Sequence, residues 1–138
     1  MRKRQVISLA ICLCLGIAPY ALAAASYDGS VPLLCAVIEV FDCQGGGDWQ
    51  RGTAESVNLS QFLKINVQDK TLTTTGEGES KRSTPIKYLE RTDDSLILQG
   101  VEGSRAWSMI ITKETGKTSA TVSDDHVGFV VFGACTPY

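Results

Sequence analysis

From Phe62 onward the chain alternates between apolar and polar residues with a period of two. Leu63, Ile65 and Val67 interleave with Lys64 and Asn66, and Trp107, Met109 and Ile111 share one face of the run Ala106 to Thr112. Such a period sends successive side chains to opposite faces of a strand and does not fit the 3.6-residue repeat of a helix. Turn-forming clusters cut the pattern at short intervals: Gln68-Asp69-Lys70, Gly76 to Lys81, Thr92-Asp93-Asp94, Glu102-Gly103-Ser104, Lys113 to Lys117 and Asp124-Asp125-His126. Between them lie candidate strands at Thr71 to Thr75, Ile86 to Arg91, Leu96 to Val101 and Ser119 to Ser123. Pro85 stands at the head of one of these, where its missing N–H does least harm. Gly116 is available for a positive φ.

Two apolar runs lack a clean period. Val127 to Cys135 is apolar on both faces, as expected of a central or closing strand, with Gly128 and Gly133 as points for a bend or a close backbone approach. Leu33 to Phe41 is interrupted only by Glu39. As a helix it would put Leu34, Val37, Ile38 and Phe41 on one face behind a Ser30 N-cap; as a strand it would pair with the apolar C-terminal run. The strand reading is adopted here, and Thr53 to Val57 is read as one more short strand. The expected fold is all-β: an antiparallel meander of eight or nine strands that closes into a small barrel when the first strand meets the last. A two-sheet sandwich is the alternative.

The first 25 residues read differently. Arg2, Lys3 and Arg4 precede an apolar run from Val6 to Ile17, and small residues follow at Ala21-Leu22-Ala23 and Ala23-Ala24-Ala25. This is the pattern of a cleaved signal peptide over residues 1–25, leaving a single β domain at 26–138 that is periplasmic or secreted. Cys12 and Cys14 follow Ile11 and Leu13 rather than the small residue a lipid-modified cysteine requires. No second apolar segment is long enough to cross a membrane as a helix. Cleavage would remove three of the 13 basic residues and none of the 15 acidic ones. The resulting acidic domain, without a basic block, is a poor partner for nucleic acid or anionic lipid.

Cys35, Cys43 and Cys135 remain after cleavage, an odd number for an oxidising compartment, so one disulfide and one free thiol are expected. Three pairings are open. In one continuous helix or strand, Cys35 and Cys43 would lie ~12 Å or ~26 Å apart, beyond disulfide reach. At least one of them is therefore expected to bond Cys135. Closing a loop of about 90–100 residues would stabilise by ~4–5 kcal/mol in the chain-entropy model.

Little points to catalysis. His126 is the only histidine and would have to serve any Cys–His or Ser–His pair. No serine sits in a Gly-x-Ser-x-Gly elbow, and the triple glycine at 45–47 lacks the Lys-Ser or Lys-Thr of a phosphate loop. Asp124, Asp125 and His126 are adjacent in a turn and have no spaced partner to complete a metal site. No enzyme activity, metal or cofactor is expected.

Three stretches carry a resemblance: Gln61-Phe62-Leu63-Lys64-Ile65-Asn66; Leu98-Gln99-Gly100-Val101 followed by Trp107-Ser108-Met109; and the ending Gly128-Phe129-Val130-Val131-Phe132-Gly133-Ala134-Cys135. Together they resemble a group of small exported bacterial proteins of unknown function, over most of the chain after the leader. In that group the loop after the first segment carries a further cysteine, to which Trp49 corresponds here. The resemblance implies that Cys43 has lost a loop partner and is the free thiol, and that Cys35–Cys135 is the retained bridge. At the level of architecture alone, a small meander barrel is similar to lipocalin-like binders and to barrel inhibitors of hydrolases.

Two functional expectations follow. The first is a non-enzymatic exported binding module that takes a small apolar ligand at the barrel mouth, lined in part by Trp107 and Met109. The second is a protein-interaction module, such as an inhibitor of an envelope hydrolase, acting through loops 44–52 and 76–83. Trp49 and Arg51 would be its anchors, because Trp and Arg are frequent interface hot spots.

Overall fold

A computed structural model describes residues 26–45, 47–76 and 81–138. The expected leader at 1–25 lies outside the described residues, as do Gly46 and positions 77–80 of the polar loop. The described chain is all-β. Its strands are β1 (Leu33–Gln44), β2 (Gln50–Gly52), β3 (Phe62–Asn66), β4 (Thr71–Thr74), β5 (Ser83–Arg91), β6 (Ser95–Glu102), β7 (Arg105–Thr112), β8 (Lys117–Ser123) and β9 (Val127–Pro137).

Every pairing is antiparallel. The order is β2-β1-β3-β4-β5-β6-β7-β8-β9, with an additional β1–β9 pairing that closes an eight-stranded barrel and leaves β2 as a short flap on β1. The sandwich alternative is thereby excluded. Gly103 and Ser104 form the two-residue β6–β7 hairpin, and the positive φ of Gly103 (+61°) matches the right-handed twist of the flanking strands. β1, β8 and β9 run two or three residues beyond their expected bounds, β2 falls within the stretch read as a loop at 44–52, and two further departures bear on the barrel mouth. β5 begins at Ser83, so Pro85 lies inside it, opposite Thr71 on β4. Residues Glu55–Val57 form a 3₁₀ turn rather than a strand.

β1 resists periodic reading for a physical reason. Leu33, Cys35 and Val37 face inward, and then Val40 does, which breaks the period. The pairing with β9 slips between Val37 and Glu39, so Ile38 is an extra residue with no partner, 72% exposed. This bulge flips the strand's faces midway. It also marks where β1 exchanges neighbours. Residues 33–36 pair with β3, whereas 40–42 pair with β2. Gln61 secures the junction: its backbone carbonyl accepts from Val37 N–H at 2.9 Å, and its Nε2 donates to the Val37 carbonyl. On β9 a Cβ at Gly133 would collide with the Ala36 carbonyl, whereas one at Gly128 would meet nothing. Only Gly133 is demanded by close approach.

The barrel is filled by its own side chains over most of its length. Leu33, Ile65, Leu96 and Ile111 are wholly buried near the end where β1 enters, and Val40 and Leu98 lie further along. The arm before β1 covers that end. Tyr27 packs against the core and fills the space where Gly116 (φ +68°) would carry a Cβ, and Gly29 sits against Val67 and Leu96. The Cys35–Cys135 disulfide joins directly opposed residues of β1 and β9, tying the first barrel strand to the last.

Candidate functional site

The opposite end of the barrel is built differently. There the β6–β7 hairpin, the β8–β9 turn and the first residues of β3, β5 and β7 surround an interior that, among the described residues, lies under the connection at 53–61. Thr53 and Ser56 exchange hydrogen bonds: Thr53 N–H donates to Ser56 Oγ at 3.1 Å, and Ser56 N–H to Thr53 Oγ1 at 3.3 Å. This closes the 3₁₀ turn at its start. Asn58, left-handed at φ 53°, ends it. The turn buries Ala54 and lays Val57 and Leu59 against the core.

Beneath this cover is a cavity of about 70 Å³, lined by Trp107 and Met109 of β7, Ala120 and Val122 of β8, Phe129 and Val131 of β9, and Leu63, Leu72, Val57 and Leu59. Ordinary small-molecule pockets hold about 300–1,000 Å³, so no drug-sized ligand fits. The space exceeds the ~10–15 Å³ a single water needs, and its wall is mainly apolar, with Asn58, Arg82, Thr84, Glu102 and Arg105 as its polar part.

Trp107 owes its place to two neighbours. Gly100, opposite it on β6, leaves room for the indole: a Cβ there would stand 2.5 Å from Cε2 and 2.6 Å from the Pro85 carbonyl oxygen. Thr84 Oγ1 accepts from the indole Nε1–H at 3.3 Å and donates to the Val101 carbonyl at 2.9 Å. The buried polar atoms are thus satisfied without water, and the indole presents its hydrocarbon to the cavity.

The mouth is polar. Arg82 reaches Glu102 at 3.3 Å through Nη1 and donates through Nη2 to the Asn58 carbonyl, latching the cover to β5. Arg105 Nε donates to Asp124 Oδ2 at 3.1 Å, while Asp124 Oδ1 accepts from the N–H groups of His126 and Val127, each at 2.8 Å. The His126 and Val127 amides, with Arg105 beside them, hold the Asp124 carboxyl below its ordinary value. Asp124 to His126 is therefore a hydrogen-bonded turn, and His126, itself highly exposed, lies 3.3 Å from Asp125.

Trp107 and Met109 meet at this cavity; Trp49 and Arg51 do not. Arg51 lies on the outer wall, where it pairs with Glu39 and stacks over Phe41 at 5.6 Å, and Trp49 is 57% exposed on the loop before β2. Phe41 in turn makes an edge contact with Phe132 at 6.3 Å. Cys43 is the free cysteine among the described residues, its thiol donating to the Gly47 carbonyl at 2.9 Å. Sequence reading missed Val57, Leu59, Thr84 and Arg105. Val57 was legible only as the last residue of a presumed strand, and Leu59 lay outside every element read from the sequence. Thr84 and Arg105 carry no local signal, because their roles arise across strands.

No family model, no curated protein and no solved structure matches the chain at a significant level, so the functional reading rests on this geometry.

Proposed function

We propose that the protein is a non-enzymatic exported binding module that takes one short apolar chain or ring through the barrel mouth into the cavity beside Trp107 and Met109. The observation that carries this reading is a mainly apolar void of about 70 Å³ at the mouth of the barrel, beneath the connection at 53–61. Interiors are normally packed with few voids larger than a water, and an apolar void of about 150 Å³ is known to stay dry and hold benzene. A cavity half that size selects a narrow alkyl chain. The Cys35–Cys135 bridge suits an oxidising compartment, which supports export.

The test is a titration with hexanol, read by the fluorescence of Trp107 in a Trp49→Phe background, where it is the only indole. Saturable change that is abolished by Ala120→Leu, which fills the cavity, supports the reading. Absence of any change in the unfilled protein refutes it.

A second reading, a protein-interaction surface, draws on one specific cluster. Phe41, Phe132 and the bulged Ile38 lie on the outer wall with Arg51 stacked above Phe41, and Trp49 stands exposed on the connecting loop. Retention of a periplasmic protein that is lost on Trp49→Ala, with hexanol binding intact, would separate this surface from the cavity.

A further inference from the structure

The cavity does not end at its mouth. An open trough outside it shares Val57, Asn58, Arg105 and Phe129 with the cavity wall and continues over Ser56, Asp124 and His126. The inner part is mainly apolar, the outer part sets the polar side chains of Ser56, Asp124 and His126 beside Val127 and Phe129, and Arg105 lines both. A ligand that fills both parts must itself have two ends.

We propose that the site takes a single-chain amphiphile with a carboxylate head: the alkyl chain lies among Trp107, Met109 and Phe129, and the head sits on the terminal nitrogens of Arg105. This rests on the cavity reading above and adds the chemistry of the head. Three features select it. Arg105 spends only Nε on Asp124, and its two Nη groups carry no protein bond among the described residues. Asp124 is itself fixed by two backbone N–H donors, so it orients the guanidinium plane rather than following it. Arg82, by contrast, has both terminal nitrogens committed, to Glu102 and to the Asn58 carbonyl. The anion seat is therefore Arg105. Glu102 and Asp124 each already have an arginine partner that offsets their charge. A guanidinium edge with two parallel N–H donors suits a planar carboxylate, and its charge-assisted bonds are about twice as strong as neutral ones.

The experiment compares hexanoate, hexanol and hexylamine on the full mature chain carrying Trp49→Phe, by the fluorescence of Trp107. The expected result is hexanoate about tenfold tighter than hexanol, with hexylamine weakest. In Arg105→Gln the preference for hexanoate over hexanol disappears. In the parent protein added salt weakens hexanoate and spares hexanol, a readout that needs no variant to fold. Equal affinity for hexanoate and hexanol, or a hexanoate preference that survives Arg105→Gln, overturns the head-group assignment and leaves the cavity reading standing. Failure of all three to bind overturns both.

Discussion

The Trp107 indole occupies the space that a side chain at Gly100 would need. A Cβ on Gly100 would stand 2.5 Å from Cε2 of the ring and 2.6 Å from the Pro85 carbonyl oxygen, with backbone on one side and a buried ring on the other. Neither neighbour is the free end of a flexible chain. Gly100→Ala is therefore expected to destabilise by about 1–3 kcal/mol, the usual cost of overpacking, and to move the Trp107 emission. Urea denaturation of the two proteins checks the first expectation and their emission spectra the second.

Thr84 accepts the indole N–H of Trp107, its one hydrogen bond among the described residues, and also donates to the Val101 carbonyl. Thr84→Val keeps the shape and removes both bonds, leaving a buried donor unsatisfied. The expected cost is about 1–3 kcal/mol, measured as a lower urea midpoint with an unchanged slope. Thr84→Ser, which restores the hydroxyl, should recover most of it.

Cys35 and Cys135 sit opposite each other on β1 and β9, separated by 100 residues of chain. Replacing both by alanine is expected to cost about 2–5 kcal/mol, whereas Cys43→Ser should be close to neutral, since that thiol makes one hydrogen bond to a loop carbonyl. Mass spectrometry of alkylated protein should find one reactive thiol before reduction, at Cys43, and a free Cys35 would contradict the pairing.

Asp124 should give the mouth a pH dependence. Its carboxyl is held below the ordinary value, chiefly by the N–H groups of His126 and Val127 and then by Arg105. The native state thus favours the charged form. That contribution is complete above the unfolded value of about 4 and is lost as pH falls through the lower folded value. Asp124→Asn should accordingly be less stable than the parent at neutral pH, and the gap should narrow in strong acid. Denaturation midpoints of both proteins across that range check the sign.

The fold was legible where burial is one-sided. The alternation of Trp107, Met109 and Ile111 with exposed partners such as Ile110 survives intact in β7. The period is lost at β1, where the extra residue Ile38 shifts the inward set from odd to even positions and makes a strand resemble a helix face, and the strand reading there held because the run pairs with the apolar C-terminal strand. The reading failed at Glu55–Val57, where the turn is held by the Thr53–Ser56 exchange of hydrogen bonds rather than by any hydrophobic period. Trp107 and Met109 could be placed on one inward face from sequence. The cover formed by Val57 and Leu59, the Thr84 support and the Asp124–Arg105 pair could not, because each depends on which segments the closed sheet brings together.

The most direct test is a crystal structure of residues 26–138 soaked with xenon and, separately, with hexanol. The expected result is xenon density, and an ordered alkyl chain, between Trp107, Met109 and Phe129 beneath Val57 and Leu59. A cavity filled by collapsed side chains or by ordered water, with neither probe inside, would contradict the binding role assigned to this end of the barrel.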